Sequence, residues 1–472
     1  MNVNEILNFL KQLGVQNVVC APGGRCKELL NAFVKDPDFK TTTVYDERTG
    51  SFYALGLSFE RPTVVLTTSG TAVTELSSAM AEAHHQKGSK LIALTADRPL
   101  EIRNTGAPQS MNQNNIFKNF ARSFVDLTQD TNDLKNIDVD YPIHINVCME
   151  EPNPVTIKDS NKNYGSLIIA SELTPKERSL VIEELKDYEG LLVLEPLSNL
   201  SLKDFPKAKV IPFSESFLLS RGLNAFSSVV RLGGVPVFKP WREVESAKAY
   251  YWSNASDFSG GIGVEALKLE DVKSHWEVNE STLEIYNEID KHKNKVEKIL
   301  KMHSQSEVGL LSALSKFIND EDEVFVGNSL PIREWDFVQK KNFNLFGQRG
   351  INGIDGSLAF ALGKLDPKKT NWIVLGDLTS LYNFNDFQLI EKFEKRNIRI
   401  VVVNNYGGQI FSRVIKENTE SFLNSHRKSF DSIAKFWGLK YLNNEFDFTG
   451  SKILLELNPN KEASDSFWKE LG

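Results

Sequence analysis

The stretch Val374-Leu375-Gly376-Asp377-Leu378 closes a short apolar run with an acidic residue, and 28 positions after Asp377 a second run closes in Val403-Asn404-Asn405-Tyr406-Gly407-Gly408. Short apolar runs ended by Gly, Asn or Asp read as buried strands of a parallel sheet. In open α/β sheets, ligands sit beyond the carboxyl ends of the strands. An Asp at one strand end and an Asn at a neighbouring one can both offer oxygens to one hard divalent cation, which takes carboxylate, amide and backbone oxygens and keeps phosphate oxygens of its ligand. The glycines permit close approach of the backbone to a diphosphate. GD and NN are also common turn dipeptides, and on this pair alone the two readings stand level.

Working outward, the same alternation recurs. Val324–Val326, Ile373–Leu375 and Ile400–Val403 are strand candidates of a block that begins near Val308. Val18–Ala21, Thr63–Leu66, Leu91–Thr95 and Ile143–Val147 are strand candidates of the first 150 residues, with helical character between Thr71 and His85. Residues 151–162, with two prolines among polar residues, read as a domain boundary. Beyond them Leu191–Leu194, Lys209–Ile211 and Val229–Leu232 suggest a smaller α/β unit, left through a charged helix over 280–303. The fold class is therefore α/β, with parallel sheets flanked by helices. Neither an internal repeat nor a low-complexity segment is visible.

Composition narrows the function. The 472 residues are 41% hydrophobic and 25% charged, which excludes a disordered or collagen-like chain. A net charge of −7 without a basic tract argues against nucleic-acid binding. Small anionic substrates stay open, because a few placed arginines can build their site. Cys20, Cys26 and Cys148 form no CxxC pair, so neither a disulfide framework nor a zinc site is expected. No run approaches the ~20 apolar residues that span a bilayer. The start, MNVNEILNFLKQLG, lacks the basic and apolar regions of a signal peptide. It reads as an amphipathic helix, with Val3, Ile6, Leu7, Leu10 and Leu13 on one face, Asn2 and Glu5 as a capping box and Gly14 at the C-terminus. A cytoplasmic protein without membrane insertion is the expectation. Gly261-Ile262-Gly263-Val264-Glu265-Ala266 fits G-x-G-x-x-A but follows a polar loop, and no nucleotide is expected there. His84-His85 lacks a further ligand at helical spacing, and Cys148 reads as a small core residue.

Several longer motifs occur together: APGGRC (Ala21–Cys26), YDERTG (Tyr45–Gly50), TTSGTAV (Thr67–Val73), LTADRP (Leu94–Pro99), VGNSLPIR (Val326–Arg333), QRGINGIDG (Gln348–Gly356), GDLTSLYN (Gly376–Asn383) and NNYGGQIF (Asn404–Phe411). Jointly, and in this order, they resemble the MenD family of thiamine-diphosphate (ThDP) enzymes. The resemblance covers the first and last thirds and is faint in the middle. It implies the ThDP-binding fold, with a pyrimidine-binding domain at 1–155, a shortened central domain at 156–290 and a diphosphate-binding domain at 291–472. It implies decarboxylation of 2-oxoglutarate and 1,4 addition of the resulting succinyl semialdehyde carbanion to isochorismate, in menaquinone biosynthesis. The cofactors implied are ThDP and Mg2+ (or Mn2+). The assembly implied is a homodimer or homotetramer, because the glutamate of one chain meets the diphosphate site of another.

Residue by residue, the resemblance gives Glu47 as the carboxylate that activates the cofactor's aminopyrimidine ring, with Arg25, Gln109 and Arg333 beside it in the catalytic set. Cofactor contacts fall on Ser69, Gly70, Asn352, Ile354, Gly376, Asp377, Leu378, Asn405, Gly407, Gln409 and Ile410, with Ile354 under the bend of the cofactor. Asp377, Asn405 and the Gly407 carbonyl match the metal ligands. Both substrates are dicarboxylates, which bidentate arginines hold well. Arg25, Arg98, Gln109, Lys239, Ser329, Arg333, Arg349, Ile410 and Phe411 match the substrate contacts. The chain departs from the family at Gly24, Cys26, Pro108 and Pro240, all on the substrate side. These departures leave a ThDP-dependent decarboxylase or carboligase with another acceptor as the alternative. A non-catalytic relative is opposed by the intact Glu47, Asp377 and Asn405. Cys26 is expected on a loop facing the active site.

Overall fold

Three parallel six-stranded sheets organise the computed structural model, which describes residues 3–128, 134, 137–149, 163–238, 240–241, 248–254, 258–338, 344–393, 396–415 and 417–472. The expected boundary at 151–162, Lys239 and the Asn2 cap lie outside the described residues.

The first sheet holds β1 (Asn17–Ala21), β2 (Lys40–Thr43), β3 (Thr63–Thr67), β4 (Leu91–Asp97), β5 (Ser123–Leu127) and β6 (Ile143–Cys148), in the order β2-β1-β3-β4-β6-β5. The second holds β7 (Ser166–Ala170), β8 (Leu191–Leu194), β9 (Lys209–Val210), β10 (Ser228–Leu232), β11 (Ala249–Trp252) and β12 (Val264–Ala266), in the order β12-β11-β10-β7-β8-β9. The third holds β13 (Glu323–Val326), β14 (Asn344–Phe346), β15 (Thr370–Gly376), β16 (Asn397–Val403), β17 (Lys440–Asn443) and β18 (Lys452–Leu457), in the order β14-β13-β15-β16-β18-β17. The central strands are apolar on both faces and buried along their length, as in β3 and β4, which is what helices on both sides of a parallel sheet require.

Counted from its own first strand, the third sheet repeats the order of the first. The sequence carries no repeat that announces this. The middle sheet has a different order, with the chain reversing direction between β7 and β10, the doubly wound pattern. The GIGVEA segment leads into β12 and not into a helix, so it lacks the context of a dinucleotide loop.

By packing, the chain forms two units. One comprises Met1–Pro152, Gly350–Asp355 and Tyr406–Arg427; the other comprises Asn153–Arg349, Gly356–Asn405 and Lys428–Gly472. In the first, the helix Val3–Gln12 buries Ile6, Leu7 and Leu10 and stops at Gly14, whose φ of +81° is open to glycine. In the second, the helix Glu280–Met302 starts at an Asn279–Thr282 capping box and buries Ile285, Ile289, Val296, Ile299 and Leu300.

Local structure follows the sequence at two places and departs from it at Cys26. The helical stretch from Thr71 to His85 is two helices, Thr71–Thr74 and Ser77–His85. Glu47 opens the helix Glu47–Leu57 four residues beyond the end of β2, and Asp46 caps that helix by accepting from the Thr49 N–H at 2.8 Å. Cys26 is fully buried in the core of the first unit, where its Sγ accepts from the Gly23 N–H at 3.3 Å.

Candidate active site

The third sheet brings the opening motifs together. β15 pairs with β16 in a register that ends at Gly376 opposite Val403, so Asp377 and the Asn404-Asn405 pair leave adjacent strands at one level. Asp377 is buried at the start of the helix Asp377–Tyr382, and its Oδ1 accepts from the Leu378 N–H at 2.6 Å. The two asparagines divide. Asn404 is fully buried, donating to Glu456 Oε1 at 2.6 Å and to the Lys428 carbonyl at 2.9 Å. Asn405 is half-buried, and its Nδ2 donates to Glu307 Oε1 at 3.3 Å. A carboxylate only accepts, so Glu307 fixes the nitrogen end of this amide, and the Asn405 oxygen points the other way. Glu307 is itself buried, with its second oxygen lacking a hydrogen-bond partner. A buried carboxylate and an oriented amide oxygen at neighbouring strand ends are a donor set that fits a hard divalent cation.

On the same unit, Ser329 takes φ +74° at the head of the helix Leu330–Glu334, and Arg333 lies in its last turn. The Arg333 guanidinium donates to the Val237 carbonyl at 3.4 Å. Arg349 donates to Asn328 Oδ1 at 2.7 Å, and Asn328 in turn donates to the Gln348 carbonyl at 2.9 Å. The Arg349 Nε is enclosed without a partner. Burial first, then the neighbouring Arg333 charge, pulls the Arg349 guanidinium down to about 10, while Glu195 and Glu172 oppose the shift. Two cations this close suit a ligand with two carboxylates.

In the first unit, Gly23 abuts Thr68 so closely that a Cβ there would lie 2.3 Å from the threonine side chain. The Arg25 N–H donates to Thr68 Oγ1 at 3.3 Å, which sets the half-buried Arg25 beside the Thr67–Val73 loop. Ser69 Oγ donates to the Gln109 carbonyl at 2.7 Å, and the Gln109 N–H donates to the Ile351 carbonyl at 2.8 Å. Gly70 has φ +85°, and a Cβ on it would come within 2.9 Å of Gln109 Cα. Ser69, Gly70, Gln109 and the Gly350–Asp355 segment, which carries Asn352 and the half-buried Ile354, are thus one cluster. Thr71 Oγ1 ties in Asp355 at 2.6 Å, and the Asn352 Oδ1 is enclosed without a hydrogen-bond partner. Gln113 supports the cluster from beneath, accepting from the Gly70 N–H at 2.9 Å and donating to Asn146 Oδ1 at 3.0 Å.

Arg98 is buried, and its guanidinium donates to the Pro108 carbonyl at 2.5 Å, so it braces the loop that leads to Gln109. Glu47 is half-buried. Burial, then Cys26 and Glu47, push the Cys20 thiol well up, which puts the Glu47 carboxylate within electrostatic reach of β1. Gly407 has φ +139°, and a Cβ there would meet the Leu423 carbonyl at 2.6 Å. Gln409 and Ile410 follow it half-buried, while Phe411 packs on the core of the unit with its ring 6.0 Å from that of Phe422. Ser69, Gly70, Gln109 and Asn352 gather in one unit; Asp377, Asn405, Arg333 and Arg349 belong to the other. Sequence reasoning missed Glu195, Glu307 and Gln113. Glu195 carried the same signal as Asp377, an acidic residue directly after an apolar run; the other two carried none.

Comparison with known proteins agrees with this chemistry. Residues 1–116 match the family model described as "Thiamine pyrophosphate enzyme, N-terminal TPP binding domain". The chain is 31% identical to the 2-succinyl-5-enolpyruvyl-6-hydroxy-3-cyclohexene-1-carboxylate synthase of Bdellovibrio bacteriovorus, with 99% of this chain and 97% of the relative aligned. It is 30% identical to the synthase of the same name from Akkermansia muciniphila, with 98% of each aligned. A Staphylococcus aureus synthase of that name is 28% identical, over 96% of this chain and 92% of its own length. With such likeness running almost end to end, the chain belongs to the 2-succinyl-5-enolpyruvyl-6-hydroxy-3-cyclohexene-1-carboxylate synthase family of ThDP-dependent enzymes.

Proposed function

We propose that this chain decarboxylates 2-oxoglutarate and adds the four-carbon unit 1,4 to isochorismate, as a menaquinone-pathway carboligase. The observation that carries the reading is the register of β15 and β16, which sets Asp377 and Asn405 at adjacent strand ends. Asp377, Asn405 and the Gly407 carbonyl would hold Mg2+ or Mn2+, with Gly376, Leu378, Gln409 and Ile410 beside the diphosphate. Bound ThDP supplies the electron sink that lets CO2 leave a 2-keto acid. Glu47 would hold the proton exchanged with the aminopyrimidine ring, Ser69, Gly70 and Asn352 would contact the cofactor, and Ile354 would sit under its bend. Arg25, Gln109, Ser329, Arg333, Arg349 and Lys239 orient the carboxylates of the two substrates, and Ile410 and Phe411 form an apolar wall. Arg98 acts through the Pro108 carbonyl it grips. The domain division 1–155, 156–290 and 291–472 and a homodimer or homotetramer belong to the same reading. A cytoplasmic location is supported by three buried free cysteines.

The test is an assay with ThDP, Mg2+ and 2-oxoglutarate, with and without isochorismate. CO2 release that requires isochorismate is the expected result. Turnover of 2-oxoglutarate without consumption of isochorismate overturns the acceptor and leaves the alternative carboligase.

A further inference from the structure

The middle sheet reverses direction between β7 and β10, and doubly wound sheets bind their ligands in the crevice at such a reversal. In this chain backbone and acidic side chains come close together at that end of the sheet. Gly233, at φ +91°, sits so close to the Glu172 carbonyl that a Cβ would lie 2.3 Å from it. Glu195, the first residue after β8, is buried, and its Oε1 accepts from the Val237 N–H at 2.7 Å and the Phe238 N–H at 3.3 Å.

We propose that Glu195 is a positioning residue for the substrate-binding arginines, holding Arg333 through the Val237–Phe238 peptide and Arg349 through its charge. The proposal rests on the reading of Arg333 and Arg349 as carboxylate ligands. The Val237–Phe238 peptide is gripped at both ends, its N–H by Glu195 at 3.3 Å and its carbonyl by Arg333 at 3.4 Å, and Glu195 also accepts from the preceding Val237 N–H at 2.7 Å. Arg349 lies within the electrostatic reach of Glu195 and Glu172. Arg231, another cation within reach of Glu195 among the described residues, is engaged by the Phe258 and Ser259 carbonyls at 2.7 and 2.8 Å. Two neighbouring guanidinium groups repel each other, and an enclosed cation needs a counter-charge or hydrogen bonds to stay in place. Burial pushes the Glu195 carboxyl up to about 7, and in its ionised form it supplies that counter-charge together with its hydrogen bonds, so the arginine pair is set before a dicarboxylate arrives.

The test uses the holoenzyme with ThDP and Mg2+. Glu195→Ala is expected to raise the KM for 2-oxoglutarate about tenfold, since a hydrogen bond to a charged group is lost. The kcat changes less than about threefold, and the ThDP dissociation constant stays at its wild-type value. Glu195→Gln keeps an oxygen for the Val237 N–H but not the charge, and its KM falls between the two. Should the alanine variant fail to fold, the glutamine variant decides. An unchanged KM, with or without a lowered melting temperature, overturns the proposal, as does a change confined to ThDP affinity. Arg333→Lys and Arg349→Lys are measured alongside. If they raise the KM and the Glu195 variants do not, Glu195 alone is at fault. If they leave it unchanged, the reading of the arginines falls, and the positioning role falls with it.

Discussion

The first and third sheets share one strand order and almost nothing in sequence. Their difference lies at the carboxyl ends of the strands. The first ends in glycine-bearing loops and in Glu47 at the head of a capped helix. The third ends in Asp377 and Asn405. On the proposed reading, one architecture used twice would carry two kinds of chemistry, a proton-handling carboxylate in one copy and cation donors in the other. On that reading function is grafted at strand ends and is not a property of the sheet.

If the two copies divide the work in this way, substitutions in them should fail differently. Asp377→Ala should remove cofactor binding and turnover together, which titration of ThDP with Mg2+ by calorimetry would detect; retained affinity would break the division. Glu47→Gln should lower kcat by about 10²–10⁴ while ThDP still binds, and near-normal turnover would remove Glu47 from the proton path. Gly407→Ala should destabilise the protein by about 1–3 kcal/mol, because φ +139° and the Leu423 carbonyl 2.6 Å from the new Cβ both oppose a side chain. Urea unfolding measures this, and a shift below a few tenths of a kcal/mol would contradict the geometry.

The smallest effect concerns the polar groups each sheet buries. In the first, His144 on β6 bonds Thr95 at 2.9 Å, and burial holds its imidazole down at about 3. The folded form therefore keeps His144 neutral where the unfolded chain, with its pKa near 6.5, begins to take up a proton. This contribution to stability is complete above about pH 6.5 and is lost progressively as pH falls toward 3. His144→Gln should flatten part of that acid-side slope in urea midpoints measured from pH 7 to 5. In the third sheet, Glu456 on β18 gathers Asn404, Ser429, the Phe430 N–H and Tyr441. No histidine lies on its strands, so a comparable histidine slope is not expected there.

The fold class and most strands were legible because buried parallel strands are short apolar runs, and Leu191–Leu194 is as the run predicts. Asp377 and Asn405 were legible for the same reason, since each follows a run. The shared strand order was not legible, because strand order depends on how the chain crosses over and not on any local pattern. Gln113 escaped because its partners Gly70 and Asn146 lie 43 and 33 residues away. Glu195 followed the visible rule but stands in the third of the chain where the resemblance is faint, and its meaning depends on Val237 and Arg349 arriving beside it.

The asparagine doublet has a spectroscopic consequence. Adjacent residues of an extended chain face opposite ways, so a repeated letter splits into two reporters. Asn404, bolted to Glu456 and Lys428, should keep its side-chain amide resonance unmoved while a diamagnetic cation is titrated into the protein. The amide of Asn405, one residue on, should follow the titration, so that a single labelled dipeptide separates the integrity of the sheet from the filling of its site.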